Sequence, residues 1–230
     1  GKVSGLSVLT TSGDPGATPV VRLRGITTLN DNNPIVVIDG VISDVGAMNL
    51  LNANDIESVE VLKDASSTAI YGSRGAAGVI IVTTKRGSSL ENSIAVSLDQ
   101  SFESVANQVG VMNGREFATY INEITPGSFN NIDILPDTDW QDLIFQDFAP
   151  ITNANLSASG ATDQARYYLG LGYFGQGGII PKSGLDRLTA KINSGYDLTK
   201  NVRFGLDLSI ALTDKDNTPG VVNTALRAWP

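Results

Sequence analysis

Cysteine and histidine are both absent from the 230 residues. Their absence removes disulfides, thiolate nucleophiles, imidazole metal sites and every His-dependent triad. Basic residues are scarce: 16 Lys and Arg stand against 24 Asp and Glu, a net charge of −8. That balance argues against nucleic acid as a partner, because phosphate binding needs a basic stripe and none is present. No run of about eighteen apolar residues occurs, so no membrane-spanning helix is encoded. A charged and then apolar leader is lacking too, since the chain opens on Gly1-Lys-Val-Ser-Gly-Leu6. The expectation is that the numbering starts inside a longer gene product.

What is abundant is Gly, Asn, Thr and Ser, the mark of a β-rich, turn-rich exported protein. The charge divides unevenly. Residues 1–90 hold seven basic and eight acidic residues, whereas 91–230 hold nine and sixteen. The first part reads as a small α/β domain, with strands expected at 3–8, 20–24, 35–39, 58–62 and 79–84. Short helices are expected near 47–51 and 64–71. Ile35-Val-Val-Ile38 and Val79-Ile-Ile-Val82 are apolar on both faces, as central strands covered on both sides must be. Val20-Val-Arg-Leu-Arg24 alternates instead, with Arg22 and Arg24 on one face.

Three glycines spaced three apart (Gly72, Gly75, Gly78) invite comparison with a phosphate loop. The order of elements is wrong for one: a phosphate loop follows a strand and opens a helix. Here a helical segment comes first and a strand follows, which puts a helix C-terminus, repellent to anions, at the glycines. The reading is a tight exit, with Gly72 at positive φ.

Residues 91–230 are written in segments of about ten residues with a period of two. Ile94, Val96, Leu98 and Phe102 alternate with small and charged residues. Leu169, Leu171 and Tyr173 alternate with Gly170 and Gly172, and Leu188, Ala190 and Ile192 with Arg187, Thr189, Lys191 and Asn193. Leu206, Leu208, Ile210 and Leu212 continue the pattern. A soluble sandwich and a membrane barrel both alternate. Strand length, tyrosines near the ends of apolar faces (Tyr167, Tyr173, Tyr196) and alternation of short turns with long connections favour the barrel. The connection from Glu103 to Ile151 is expected to carry two helices, one capped at Asn113 and one around Asp139–Phe145. A glycine-rich loop is expected over 174–185.

GKVSGLSV, SGDPGATPVVRLRG, NPIVVIDG and LNANDIESVEVLKDASSTAIYGSRGAAGVIIVTTKRG together resemble the plug domain of TonB-dependent outer-membrane transporters. The Lys63-Asp64-Ala65 step resembles the SusC/RagA branch of Bacteroidetes, where general members carry Arg-Gly-Pro. NGREFA, TDWQDLIF, ARYYLGLGYF and SGLDRLTAKIN are similar to the first barrel strands of that branch. The resemblance implies an α+β plug over 1–90, followed over 91–230 by antiparallel transmembrane strands of a large 22-stranded β-barrel. The roughly five strands present cannot close, since small barrels need about eight. The chain is therefore expected to be a fragment.

The implied function is TonB-dependent nutrient uptake across the bacterial outer membrane, with the plug gating the barrel. The implied partners are a SusD-like surface lipoprotein as lid, TonB acting through a segment before Gly1, a glycan or peptide substrate, and the lipid bilayer. The alternative is a secreted β-rich binding or adhesin module. The resemblance makes Arg24 and Lys63 plug–barrel anchors facing wall carboxylates, and Arg74 is a further anchoring candidate, placed to contact the barrel wall. Asn30, Asp31, Asn32, Asn33, Asn49 and Asn52 are the substrate-facing candidates, suited to hydrogen-bonding sugars or peptide backbone. No enzyme activity, cofactor or metal is expected. Asp137, Asp139, Asp142 and Asp147 lack the alternate-ligand spacing of a calcium loop.

Overall fold

The structure, a computed structural model, describes residues 6–9, 12–23, 33–64, 68–87, 91–218 and 220–229. Its first part holds a two-stranded antiparallel pair, β1 (Leu6–Leu9) and β2 (Val20–Leu23). A mixed four-stranded sheet follows, made of β3 (Ile35–Ile38), β4 (Val41–Ser43), β5 (Ile56–Leu62) and β6 (Val79–Thr84), in the order β4-β3-β6-β5. The parallel β3–β6 pair sits at its centre. Val36, Ile80 and Val82 pack with Val21, Leu23 and Val45 on one face, while Ile35, Val37 and Val79 pack on the other. A strand covered on both faces must be apolar at every position, which is why these two lack alternation.

The β4 strand was not expected from sequence. Its signal is Asp39-Gly40, a pair in which both residues take positive φ (49° and 90°) and close a two-residue hairpin. Such a turn matches the twist of the flanking strands. Helix α1 (Val45–Asn49) begins where the Asp44 carboxylate accepts from the Ala47 N–H at 2.7 Å.

At the glycine triplet the structure corrects the expectation of an immediate exit from a helix over 64–71, of which residues 65–67 lie outside the described residues. Ala69–Ala77 forms 3-10 turns interrupted at Gly72, whose φ of 64° and ψ of −155° belong to no helix. The backbone then recoils for one more turn, closed by Gly78 N–H to Gly75 O at 2.9 Å, and Gly78 enters β6 at φ 98°. A Cβ at Gly78 would add strain at this φ and stand 2.6 Å from Cδ1 of the buried Leu23.

The second part is one five-stranded antiparallel sheet in chain order. Its strands are β7 (Ser93–Glu103), β8 (Ala149–Ala161), β9 (Ala165–Gly177), β10 (Gly184–Thr199) and β11 (Val202–Asp216). Their register places apolar residues in continuous rows on one face: Val96, Leu156, Leu171, Ala190 and Ile210 form one, and Ile94, Ala158, Leu169, Ile192 and Leu208 the next. Most of these side chains are exposed. The opposite face is polar and turns toward the plug. Aromatics flank the apolar rows at both ends: Phe102 and Tyr173 at one, Tyr196 and Phe204 at the other. That is the arrangement of a strand face meeting lipid.

The loop expected over 174–185 shrinks to 178–183, because pairing of β9 with β10 continues to Gly177 and Gly184. Gly175-Gln-Gly177 carries no apolar alternation, so the sequence pattern could not reveal this pairing. The 104–148 connection is folded. It contains α2 (Gly114–Ile124), whose Asn113–Glu116 capping box matches the sequence expectation, and α3 (Trp140–Ile144), capped by Asp139. Asp137 accepts from the Gly114 N–H, so two of the clustered carboxylates serve helix starts. Helix α4 (Val221–Arg227) packs on α3, and Phe117, Phe129 and Trp229 form an aromatic triangle beneath them.

Candidate functional site: the plug–wall contact

The four-stranded plug sheet meets the polar face of β8–β11 through a set of buried polar contacts. Their centre is Asp39. The positive φ of the hairpin turn aims its carboxylate back across β6, where Oδ1 accepts from Thr84 N–H at 2.9 Å and Oδ2 from Thr84 Oγ1 at 2.6 Å. Lys191 of β10 reaches the same Oδ2 at 3.2 Å and also bonds Asp207 of β11. Asn193 donates to the second oxygen of Asp207 at 3.0 Å, and Arg86 stands 3.9 Å from Asp39. The Lys191 side chain is 4% exposed and that of Asp39 is 7% exposed.

Burial works against an ionised Asp39, but the side-chain and backbone bonds from Thr84, with the Lys191 ammonium, outweigh it and hold its pKa below the ordinary carboxylate value. A buried ammonium is tolerable here because it sits between two carboxylates and hydrogen-bonds to both.

Asp55 makes a second contact. It closes the 3-10 turn Ala53–Asp55, is buried, and accepts from the Tyr168 hydroxyl of β9 at 2.7 Å. Burial dominates here and raises its pKa, against the Tyr168 hydrogen bond and the more distant Lys191 and Lys85 charges. The Asp55 carbonyl also receives the Lys85 N–H at 2.8 Å, which ties the turn to the end of β6.

Further along, Asn52 Nδ2 donates to Asn155 Oδ1 at 2.6 Å, and Arg187 Nη1 donates to the Asn49 carbonyl at 2.6 Å. The plug's Gly16 N–H reaches Gln176 at 3.1 Å. These three contacts border a cavity of about 440 Å³ between the plug and the wall, lined among others by Asp14, Asn49, Asn52, Glu103, Asn153 and Arg187. Its donors and acceptors are mostly amides and carboxylates, a lining suited to hydrogen-bonding a hydroxyl- or amide-bearing molecule.

Of the residues singled out from sequence, Asn49 and Asn52 lie at this contact and line the cavity. Asn33 is exposed just before β3. Arg24, Asn30, Asp31 and Asn32 lie outside the described residues. Lys63 follows β5 and is half-buried, and Arg74 is exposed without an ion pair among the described residues.

The expected polarity was plug cation to wall carboxylate. The described bridge at Asp39 has the opposite sense: a plug carboxylate and a wall ammonium. Lys191 and Asp207 carried a readable signal, since both are charges on the inward phase of strands whose outward phase is apolar. Asp39 carried one as the first residue of an Asp-Gly turn. Nothing in the sequence pairs them across 152 positions.

The family profile of the TonB-dependent receptor plug domain matches residues 1–79. TonB-dependent receptor P3 of Formosa agariphila is 40% identical over 218 residues, which is 94% of this chain and 21% of that protein. TonB-dependent receptor SusC of Bacteroides thetaiotaomicron is 37% identical over 202 residues, 84% of this chain and 20% of that protein. The chain thus spans about a fifth of the length of the curated relatives it matches. Among solved structures, the RagAB peptide importer in its closed-closed state superposes with a TM-score of 0.84 at 26% identity, over 95% of this chain and 29% of that one. In its plug and in its five wall strands, the chain belongs to the SusC/RagA type of TonB-dependent receptors.

Proposed function

We propose that this chain supplies the gate and part of the wall of a receptor that takes up nutrients across the bacterial outer membrane by TonB-dependent movement of the plug. The observation that carries the reading is the Asp39–Lys191–Asp207 bridge between two parts with opposite surface logic. The plug is water-soluble in pattern, with its apolar residues inside. The wall is inverted, with apolar rows outward and polar residues inward, as a strand sheet facing lipid must be. A plug held by charge-assisted hydrogen bonds is positioned firmly, yet released by a pull that breaks a few bonds rather than a hydrophobic core.

Within this proposal residues 1–90 are the plug and 91–230 the first part of the barrel. The Asn30–Asn33 segment, Asn49 and Asn52 meet the substrate, a glycan or an oligopeptide. Arg24, Lys63 and Arg74 add cationic anchors to wall positions outside this chain. TonB and a SusD-like lipoprotein lid are the proposed partners. The name of the RagAB peptide importer supports a peptide for that relative, and SusC supports the branch.

The test is fractionation and uptake with the full-length receptor. Urea-washed outer membranes retain it, and growth on its nutrient is lost without TonB and without the receptor. Recovery in the soluble fraction, or growth indifferent to TonB, overturns the proposal.

A further inference from the structure

The inner face of the wall is ordered in cross-strand rows. Asn155, Gly172 and Thr189 stand side by side on β8, β9 and β10, and Ser157, Gly170 and Lys191 form the next row. Two successive rows therefore have glycine at their middle, which leaves a strip of β9 bare of side chains between polar flanks. Neither glycine has a positive φ. Their backbone is ordinary strand, so glycine is not there for conformation. A glycine in a strand interior weakens it and marks a place where something approaches closely.

What approaches is the plug. A Cβ on Gly172 would stand 2.0 Å from Asn52 Nδ2 of the plug, besides 2.6 Å from Thr189 Oγ1 on the neighbouring wall strand, and one on Gly170 would stand 2.5 Å from Asp55 Oδ1 of the plug. The Asn52 amide passes over Gly172 to reach Asn155 on one side at 2.6 Å and Thr189 on the other at 3.4 Å. One short side chain can straddle the middle strand only if the middle residue has none. Asn52 is itself fixed, because its Oδ1 accepts from the Asn54 N–H at 2.9 Å and caps the turn that carries Asp55. The displaced group would therefore be part of a held turn rather than a free side-chain end.

We propose that Gly170 and Gly172 are the seat of the plug, a groove fitted to the Asn52–Asp55 turn, and that the Gly172–Asn52 pair sets the plug's position along the wall. The seat rests on the plug lying against this wall and not on the uptake of any substrate, so its test is read without transport.

The test uses the full-length receptor in membranes and hydrogen exchange of plug peptides covering residues 49–56. Gly172→Ala raises exchange there about tenfold, by shifting a local opening equilibrium, and leaves the wall amides around Leu169 and Leu171 unchanged. Gly205→Ala is the control: a Cβ there meets only the Ser194 carbonyl at 3.8 Å, and plug exchange stays at the wild-type level. Asn52→Gly removes the obstructing amide, so the Asn52→Gly/Gly172→Ala double variant exchanges no faster than Asn52→Gly alone.

Wild-type exchange in Gly172→Ala overturns the seat. So does a double variant faster than Asn52→Gly alone, because a general strand defect is not relieved from the plug side. If Gly172→Ala does not insert into the membrane, Gly170→Ala with and without Asp55→Ala poses the same question, with the same two outcomes deciding it.

Discussion

The plug and the wall bury opposite things. In the plug, Leu23, Val36, Val79 and Val82 are at most 2% exposed. In the wall, Leu169, Leu188 and Leu212 stand 45–66% exposed while Lys191 and Asn193 are among the most buried residues of their strand. A sheet that hides ammonium and amide groups and displays leucine has its solvent on the wrong side for water. It needs lipid outside and a polar body inside. The plug provides that body, which makes the centre of the plug–wall contact polar where the buried core of an ordinary interface is mostly apolar and poor in charge. The lesson is mechanical: two parts joined, among the described residues, mainly by hydrogen bonds and the Lys191 ion bridge can separate without either losing its own core.

The sharpest way to break this comparison is to remove the cation. Lys191→Met leaves Asp39 and Asp207 facing each other beneath the plug, and the loss of one partner of a buried pair costs about 3–5 kcal/mol of docking. In cells carrying the full-length receptor, entry of a large hydrophilic antibiotic increases, and the barrel itself remains inserted.

Next comes the contrast between the two leucine environments. Leu23→Ala in the plug core costs about 2–5 kcal/mol, read as earlier thermal loss of the plug. On the outer wall face, Leu208→Ala is nearly silent, whereas Leu208→Arg costs up to about 2–4 kcal/mol at mid-membrane depth, read as reduced insertion.

The carboxylates give a pH prediction with two opposite signs. Asp39 has a lowered pKa in the docked state, so its contribution is complete above the ordinary carboxylate value and fades as pH falls through the lowered one. Asp55 has a raised pKa, so its contribution is complete below the ordinary value and fades as pH rises through the raised one. Plug docking, followed by exchange corrected for intrinsic rates, therefore weakens at both ends. Asp55→Asn removes the upper limb and leaves the acid limb in place. The smallest effect is expected at Gln176→Ala, which deletes the half-buried bond from Gly16, worth about 0.5–1.5 kcal/mol, together with the longer bonds to Glu103, and shifts plug exchange only near residues 14–17.

Much of this architecture was legible because it follows from period and solvent. Alternation of Leu206, Leu208 and Ile210 identifies a two-faced strand, and unbroken Val79–Val82 a strand with no wet face. The Asn113–Glu116 pair announces the start of α2. The extension of the β9–β10 hairpin was hidden because its last residues, Gly175-Gln-Gly177, carry no apolar alternation. The site was less legible for a different reason. Asn49 and Asn52 could be named from composition, but the partners Asp39, Lys191 and Asp207 are brought together by the docking of two separately folded sheets. Local rules act within an element, whereas contact between plug and wall depends on residues of different elements, including Gly172, where the missing side chain leaves room for Asn52.

The central claim is that Asp39 and Lys191 act together across the plug–wall contact. A double-mutant cycle of Asp39→Asn and Lys191→Met in the full-length receptor, read by amide exchange at Asp39 and Thr84, measures it directly. The account predicts that Lys191→Met accelerates exchange strongly, that Asp39→Asn does so less, and that the double variant exchanges more slowly than the two single effects combined. Independent, additive effects would show that the two residues do not hold the plug together, and would contradict the account.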